Sequence, residues 1–353
     1  MPMANFRLSF ALPKRQQVAL VDASGISILN EYIPQKDTSI IDIEHMNVFA
    51  LLRMIVAGKK SLFDYIIAYI KVFKPQFVFT FLDNNVDFYK LAAIFPKVKF
   101  IAIQNGHRAN YANQSGFGFF DLLKNESAKN KLSAHAICVL GTTAGNQYTQ
   151  YIQAKPVVTG SLKNNLIGNQ IKPTERFDIV YVSQHAPFEI PNSEVKFFFG
   201  NKSITAEEFY AIEQKIVRFL AAHSKQTGQS FAVLGKRTDS VSYEREFFVT
   251  AASPKEVQFI PRTSETSTYE FCNSASLIVT TDSTIGYEFL ARSNRVVFLS
   301  GRINAVSDEL SREIHDTDFG FPLELESAGP FWTNSANESD FEQVIGSVQS
   351  MSD

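Results

Sequence analysis

Thr281, Asp282, Ser283 and Thr284 stand where the apolar run Ser276–Thr280 gives way to a helix-forming stretch, Ile285–Arg292. The first turn of a helix leaves N–H groups unpaired and carries the positive end of the helix dipole. Added to the hydroxyls of Thr281, Ser283 and Thr284, this suits an anion such as phosphate. Glu288 follows Ser283 by one turn and a residue on the same helical face, within reach of a ribose hydroxyl. The same residues also make an ordinary strand, an Asp or Ser N-cap and a helix, with Glu288 a solvated carboxylate.

Other candidates sit at the ends of strand-like runs. Lys236 and Arg237 follow Leu234-Gly235, Arg262 follows Pro261, and His185 precedes Ala186-Pro187. Cations beside a helix start are what a phosphorylated ligand requires where no glycine cradle exists. A purely solvated charge pair is the alternative for Lys236 and Arg237. No Gly-x-x-x-x-Gly-Lys-Ser/Thr and no Gly-x-Gly-x-x-Gly string occurs, so neither a P-loop nor a standard dinucleotide fold is supported.

The elements that must position these groups alternate. Strands are predicted near 17–21, 77–81, 98–103, 136–140 and 156–158, and again near 177–182, 230–234, 257–260, 275–280 and 295–299. Helical stretches lie between them, as in parallel sheets with helical crossovers. In the first series the strands end in Leu82-Asp-Asn-Asn85, Gln104-Asn-Gly-His-Arg108, Gly141-Thr-Thr143 and Thr159-Gly-Ser161. The carboxyl ends of an open parallel sheet line its ligand crevice, so these loops are expected to converge. The expectation is an α/β chain of two Rossmann-like, doubly wound domains facing across a cleft. A first domain spans 1–168, with Lys163–Arg176 as linker, a second 169–335, and a C-terminal tail 336–353.

The chain has 353 residues, more than one core usually holds, and 45% of them are apolar, with 32 Phe. A formal charge of −2 gives no global reason to bind nucleic acid. Cys138 and Cys272 lie far apart in apolar runs, which implies neither a disulfide framework nor a zinc cluster. A cytoplasmic protein is expected, because Met1–Arg15 lacks the pattern of a secretory signal and no run of 18 apolar residues occurs. Residues 47–74 read as two short apolar helices carrying Arg53, Lys59, Lys60, Lys71 and Lys74 against the single acid Asp64. Such a face can lie on the inner membrane surface, though helices packed on a sheet look alike.

Three segments carry a resemblance: Phe81-Leu-Asp-Asn-Asn-Val-Asp-Phe-Tyr89, Phe100-Ile-Ala-Ile-Gln-Asn-Gly-His-Arg108 and Thr280-Thr-Asp-Ser-Thr-Ile-Gly-Tyr-Glu-Phe-Leu-Ala-Arg292. They resemble motifs of bacterial surface-carbohydrate biosynthesis proteins, glycosyltransferases of GT-B type. These are similar at greater distance to CDP-glycerol polymer transferases and to transferases that use CMP-Kdo. The resemblance implies a nucleotide-activated sugar held mainly by the C-terminal domain and an acceptor held mainly by the N-terminal one.

Glycosyl transfer develops positive charge on the sugar and negative charge on the leaving nucleotide, needs met by a carboxylate and by cations. Asp83 is the first candidate carboxylate, as general base or nucleophile, against the alternative of an Asx turn or cap; Asp87 is second. His107 is a candidate for proton transfer. Asn84, Gln104, Asn105, Arg108 and Ser161 are candidate acceptor contacts. His185, Lys236, Arg237 and Arg262, with Thr281 to Thr284 and Glu288, are expected to hold the donor, with no cofactor and no obligatory metal. Asp316-Thr-Asp318 matches a metal-binding Asp-x-Asp string but has no apolar strand before it, and it is read as a surface loop. The leading expectation is a glycosyltransferase acting on a surface glycan or lipid-linked acceptor, with Kdo or another nonulosonate on CMP as a preferred donor. A sugar-nucleotide 2-epimerase of the same architecture, or a non-catalytic scaffold in a glycan assembly complex, are the alternatives.

Overall fold

A computed structural model describes residues 7–10, 17–41, 45–108, 112–113, 118–167, 175–186, 188, 191–199, 202–238, 241–252, 257–264, 266–302 and 328–351. The elements of the first half are β1 (Arg7–Ser9), β2 (Val18–Val21), α1 (Ile26–Asn30), β3 (Thr38–Ile41), β4 (His45–Asn47), α2 (Val48–Val56) and α3 (Leu62–Phe73). There follow β5 (Phe77–Thr80), α4 (Val86–Ile94), β6 (Lys99–Ile103), β7 (Ala112–Asn113), α5 (Phe119–Ser127), β8 (Ser133–Val139), α6 (Thr142–Thr149), β9 (Gln153–Val158) and α7 (Leu162–Ile167). The second half adds β10 (Ile179–Val182), β11 (Lys196–Phe199), β12 (Lys202–Thr205), α8 (Ala206–Thr227), β13 (Phe231–Leu234), α9 (Val241–Ala251) and β14 (Gln258–Ile260). It closes with α10 (Ser267–Ser274), β15 (Leu277–Thr280), α11 (Thr284–Leu290), β16 (Val296–Leu299), β17 (Ala328–Gly329), β18 (Trp332–Thr333) and α12 (Glu338–Ser350).

Two compact units result, Met1–Gly106 with Phe120–Leu166, and His107–Phe119 with Ile167–Asp353. The first holds a parallel six-stranded sheet of order β3-β2-β5-β6-β8-β9. The second holds a seven-stranded sheet of order β14-β13-β10-β15-β16-β18-β17, parallel except for the last pair. All ten strands expected from the sequence form. The short β1, β3, β4, β7, β11, β12, β17 and β18 went unforeseen, because two to four residues carry little periodicity.

Strand β10 shows why the second sheet is buried on both faces. Ile179 and Tyr181 join a core with α8 (Ile216, Leu220) and α9 (Phe248), whereas Val180 and Val182 join another with Cys272, Phe289 and Trp332. With helices covering both sides, β10, β13, β15 and β16 read as continuous apolar runs. Helix α8 starts at a capping box, Thr205 with Glu208, and stops at Gly228 in the left-handed region.

Two boundaries differ from expectation. Residues 163–167 of the presumed linker are helical, within α7, its 168–174 portion lying outside the described residues. The presumed tail is largely α12, whose Phe341, Val344, Ile345 and Val348 are buried in the second unit's core. The Ser, Asn and Glu residues of 316–353 suggested a closing helix followed by a loose end; the helix extends through most of that end, its apolar residues recurring at i, i+3, i+4 and i+7.

Candidate functional site

In the second unit the strands in chain order give the sheet order 3-2-1-4-5-7-6, so the chain reverses direction between β10 and β15. In an open α/β sheet the crevice outside the carboxyl ends of the two strands at such a reversal is where ligands bind. The loops there are Ser183–Ala186 after β10 and Thr281–Ser283 after β15. The phosphate candidate of the sequence therefore stands at the position the topology favours. Helix α11 can lie close because residue 286 is glycine: a Cβ there would come within 2.8 Å of Thr280 Cγ2 and 2.9 Å of the Phe298 ring.

The hydroxyls of the turn have different tasks. Thr281 Oγ1 donates to Asp282 Oδ1 (3.2 Å) and accepts from Arg302 (3.3 Å). Thr284 Oγ1 accepts from the His107 backbone N–H (2.9 Å), and the His107 ring stacks on Tyr287 with centroids 4.7 Å apart. Ser283, buried at the N-cap, makes no side-chain capping bond.

Arg302, which sequence reasoning missed, organises the charge. Its guanidinium is buried, pairs with Asp282, lies 4.0 Å from Glu213 Oε1 and stacks over Phe209 at 4.1 Å. Burial works to raise the Asp282 carboxyl, but Arg302 outweighs it and holds the group below the usual range. Glu213, on α8, accepts from Tyr181 Oη (3.0 Å) and from the Gln184 backbone (2.9 Å). Burial pushes its carboxyl up to about 7 against the opposing pull of Arg302. Arg302 stands three residues past a foreseen strand, so reading that strand's end as the others were read would have found it. Glu213 and Tyr181 lie inside elements and leave no sequence signal.

Glu244 pins two loops together: its carboxylate accepts from Ser183 Oγ and from the Lys236 N–H (2.9 Å). The cations these loops carry make no carboxylate ion pair among the described residues. Lys236 Nζ donates to the Gln184 carbonyl (3.1 Å), and Arg262 donates to the carbonyls of Lys236 (3.3 Å) and Ser264 (3.1 Å). Arg237 is exposed, with its backbone N–H on Glu244 (3.4 Å). Burial lowers the Lys236 ammonium, while Glu213 and Asp282 act to hold its proton. A half-buried ammonium hydrogen-bonded to a carbonyl, with carboxylates acting on it only through space, can still take an anion.

Two donor candidates are placed otherwise than expected. His185 is wedged against Phe247 (4.0 Å, stacked) and Tyr210, its Nδ1 unpartnered among the described residues. Burial pushes it down to about 4, so it is a neutral ring in an aromatic cage rather than a cation for phosphate. Glu288 is buried and accepts from the Tyr269 hydroxyl (2.6 Å), which commits one carboxylate oxygen away from a ribose.

The first unit is built differently. Its chain reverses between β2 and β5, where the loops Asp22–Gly25 and Phe81–Asn85 emerge. Asp83, expected to react, is fully buried; its carboxylate accepts from the Asn105 N–H (3.1 Å) and from the Tyr148 hydroxyl. It fixes the 104–106 loop and has no oxygen turned to solvent. Asp87 is exposed and pairs with Lys90 (3.2 Å) on α4. Gln104 is also committed, donating to the Gly106 carbonyl (3.0 Å) and accepting from the Leu140 N–H (2.9 Å), which removes it as an acceptor contact. Asn84 and Asn105 are exposed, whereas Ser161 accepts from the Asn164 N–H (3.2 Å) at the start of α7. His107 and Arg108 belong by their contacts to the second unit, where the Arg108 guanidinium lies 5.8 Å over Phe119. Burial lowers the His107 imidazole against the opposing effect of Asp282, so it is neutral at pH 7. The Asp316–Asp318 string lies outside the described residues.

Asp22 was overlooked. It follows β2 with φ of 72°, an unusual conformation for a residue with a side chain. One carboxylate oxygen accepts from the Ser24 N–H (2.7 Å). The other has no partner among the described residues. Gly25 beside it, at φ of 77°, lets the loop close on Phe81, whose ring a Cβ would strike at 2.3 Å.

Two open, largely parallel sheets with helical crossovers and a ligand crevice at a strand reversal define the GT-B class of fold. UDP-GlcNAc 2-epimerase from Neisseria meningitidis bound to UDP-GlcNAc superposes with a TM-score of 0.52 at 12% identity, over 94% of this chain and 92% of that one. MnaA of S. aureus in its co-structure with UDP does so at 0.51 and 12%, covering 95% and 88%. The epimerase of Methanocaldococcus jannaschii gives 0.51 and 10%, covering 96% and 93%. No curated protein matches the chain. Residues 101–353 match the model of a family described as "putative O-antigen biosynthesis protein", and the chain belongs to that family. Its role lies in the biosynthesis of surface glycan.

Proposed function

We propose that this protein is a nucleotide-sugar-dependent glycosyltransferase of surface-glycan assembly. The observation that carries the reading is Lys236, a half-buried ammonium that donates to a carbonyl and makes no carboxylate ion pair among the described residues, at the strand ends that include the 281–284 turn. Together with Arg237 and Arg262 it would neutralise the donor phosphates, with Ser283 and the first amides of α11 as hydrogen-bond donors and no obligatory metal. The same-fold structures that hold UDP and UDP-GlcNAc support a nucleotide ligand.

Asp22 is the carboxylate best suited to take a proton from an acceptor hydroxyl, in place of Asp83, and Asn84 and Asn105 would contact the acceptor. His107, neutral and stacked, would keep the turn in place through its bond to Thr284. A surplus of cations over a phosphate group favours an acidic sugar, Kdo or another nonulosonate on CMP. Likeness to the epimerases favours the second reading, epimerisation at C2 of a sugar that stays nucleotide-linked.

Thermal-shift titration with CMP, CDP, UDP and GDP, followed by product analysis of the best donor, tests these readings. Nucleotide stabilisation and transfer unaffected by EDTA are expected. A nucleotide-linked epimer as product replaces transfer by epimerisation, and no stabilisation by any nucleotide leaves the scaffold role.

A further inference from the structure

Helix α2 is apolar on two sides. Ala50 and Met54 are buried, whereas Leu52, Ile55 and Val56, spaced i, i+3 and i+4 on another face, are 53%, 56% and 87% exposed. Leu62, at the start of α3, is 46% exposed. A contiguous apolar face on a surface helix gains nothing from folding and marks an interaction site.

The surrounding charge says what kind. Arg53, Lys59 and Lys60 are exposed, and no acid occurs from 45 to 63. Of the acids that flank this stretch, Glu44 lies outside the described residues and Asp64 is bound to the Ser61 N–H and hydroxyl in the α3 capping box. Position adds a second constraint. Only residues 74–76 join α3 to β5, so α3 runs back along the sheet. The α2–α3 turn thus lies at the end where β2, β5 and β6 finish, the end that carries Asp22 and Asn84. The opposite end of this sheet has a basic groove of about 590 Å³ lined by Lys97, Lys99, Lys131, His135 and Lys155. Beside it stands a single exposed large apolar side chain among the described residues, Ile94 at 47%, rather than a contiguous apolar face. The two basic regions therefore differ in the property that separates interfacial insertion from simple anion attraction.

We infer that the α2–α3 turn docks on an anionic phospholipid bilayer. Leu52, Ile55 and Val56 enter the boundary between headgroups and acyl chains, and Arg53, Lys59 and Lys60 lie among the lipid phosphates. The inference does not depend on which reaction the protein catalyses. It would bring the acceptor-facing strand ends to the membrane, where a lipid-linked substrate resides.

The test is co-sedimentation of the full chain with vesicles of phosphatidylcholine alone or with about a third phosphatidylglycerol. Binding to the anionic vesicles about tenfold or more above the neutral ones is expected. The pairs Ile55→Ser with Val56→Ser, and Lys59→Glu with Lys60→Glu, should each reduce it by about tenfold or more at unchanged circular dichroism, because all four side chains are exposed. Lys131→Glu with Lys155→Glu should bind as wild type does. The proposal is overturned if the serine pair binds undiminished, if the Lys131 and Lys155 pair is the one that loses binding, or if wild type binds no vesicles. It is equally overturned if wild type dimerises and the serine pair is monomeric, which would assign the face to a second copy of the chain.

Discussion

The two units solve the same topological problem with opposite distributions of charge. At the reversal of the second sheet, loops after four strands are tied by buried ionic groups: Glu244 pins the loops of β10 and β13, and Arg302 joins the loop of β15 to α8. Those bonds consume the carboxylates and leave Lys236 and Arg262 facing carbonyls. At the reversal of the first sheet Asp83, the one buried carboxylate among the described residues, accepts from neutral donors, and the loops also carry the exposed amides Asn84 and Asn105 and the half-buried, strained Asp22. A strand-end crevice can thus be prepared for phosphate or for a neutral polyol according to which charges the fold itself satisfies.

The comparison breaks most sharply at the two first-unit aspartates. Asp22→Asn is expected to lower the transfer rate by about 10²–10⁴-fold with nucleotide binding unchanged, the usual span for a lost general base. Asp83→Asn should act on stability first, since Asn105 and Tyr148 lose their charged acceptor, at about 1–3 kcal/mol. Urea unfolding alongside a rate assay separates the two. A larger rate loss for Asp83→Asn than for Asp22→Asn would reverse the assignment.

In the second unit Arg302→Met should cost about 3–5 kcal/mol in unfolding free energy, because it leaves Asp282 and Glu213 buried without a cation. A loss below about 1 kcal/mol would mean that the ionic ties between loops are not what holds them.

Titration gives a subtler test. His185, at about 4 in the folded protein, binds fewer protons folded than unfolded, so its contribution is present above its unfolded value and is lost as pH falls through that range. Glu213, raised to about 7, behaves oppositely: its contribution is complete below the unfolded carboxyl value and is lost as pH rises through 7. Each spans up to about 3 kcal/mol, and they partly cancel between about pH 4.5 and 6.5. Thermal melts of Glu213→Gln should show stability rising with pH in that window, and His185→Phe should show it falling. Parallel slopes in the two variants would contradict the assigned environments.

The smallest expected effect is on affinity. Lys236→Met should weaken nucleotide binding by about 10–100-fold in calorimetric titration, while stability shifts by less than about 1 kcal/mol because no carboxylate is orphaned. A stability loss comparable to that of Arg302→Met would make Lys236 a structural cation.

Much of this was legible in the residues themselves. Runs such as Ile179–Val182 and Leu277–Thr280 announce strands buried on both faces, and the 281–284 turn was located by the change from apolar run to hydroxyls. Side-chain roles were harder to read where the partner is remote. Asp83 looks reactive until Tyr148, 65 positions away, is seen bonded to it. His185 looks cationic until Phe247 and Tyr210 close round it. Asp22 was missed for another reason, since the strand before it was recognised but its ending was not weighed.

The second unit also takes a loan from the middle of the first. Strand β7 pairs antiparallel with β11, Ala112 opposite Phe198 and Asn113 opposite Phe197, although the chain returns to the first unit before reaching β11. A fragment cut at residue 167 would consequently expose an unpaired edge rich in phenylalanine, prone to sticking to its own kind. Supplying residues 107–119 as a separate peptide should then restore its solubility, and on the ribosome this unit cannot assemble independently of what was synthesised before it.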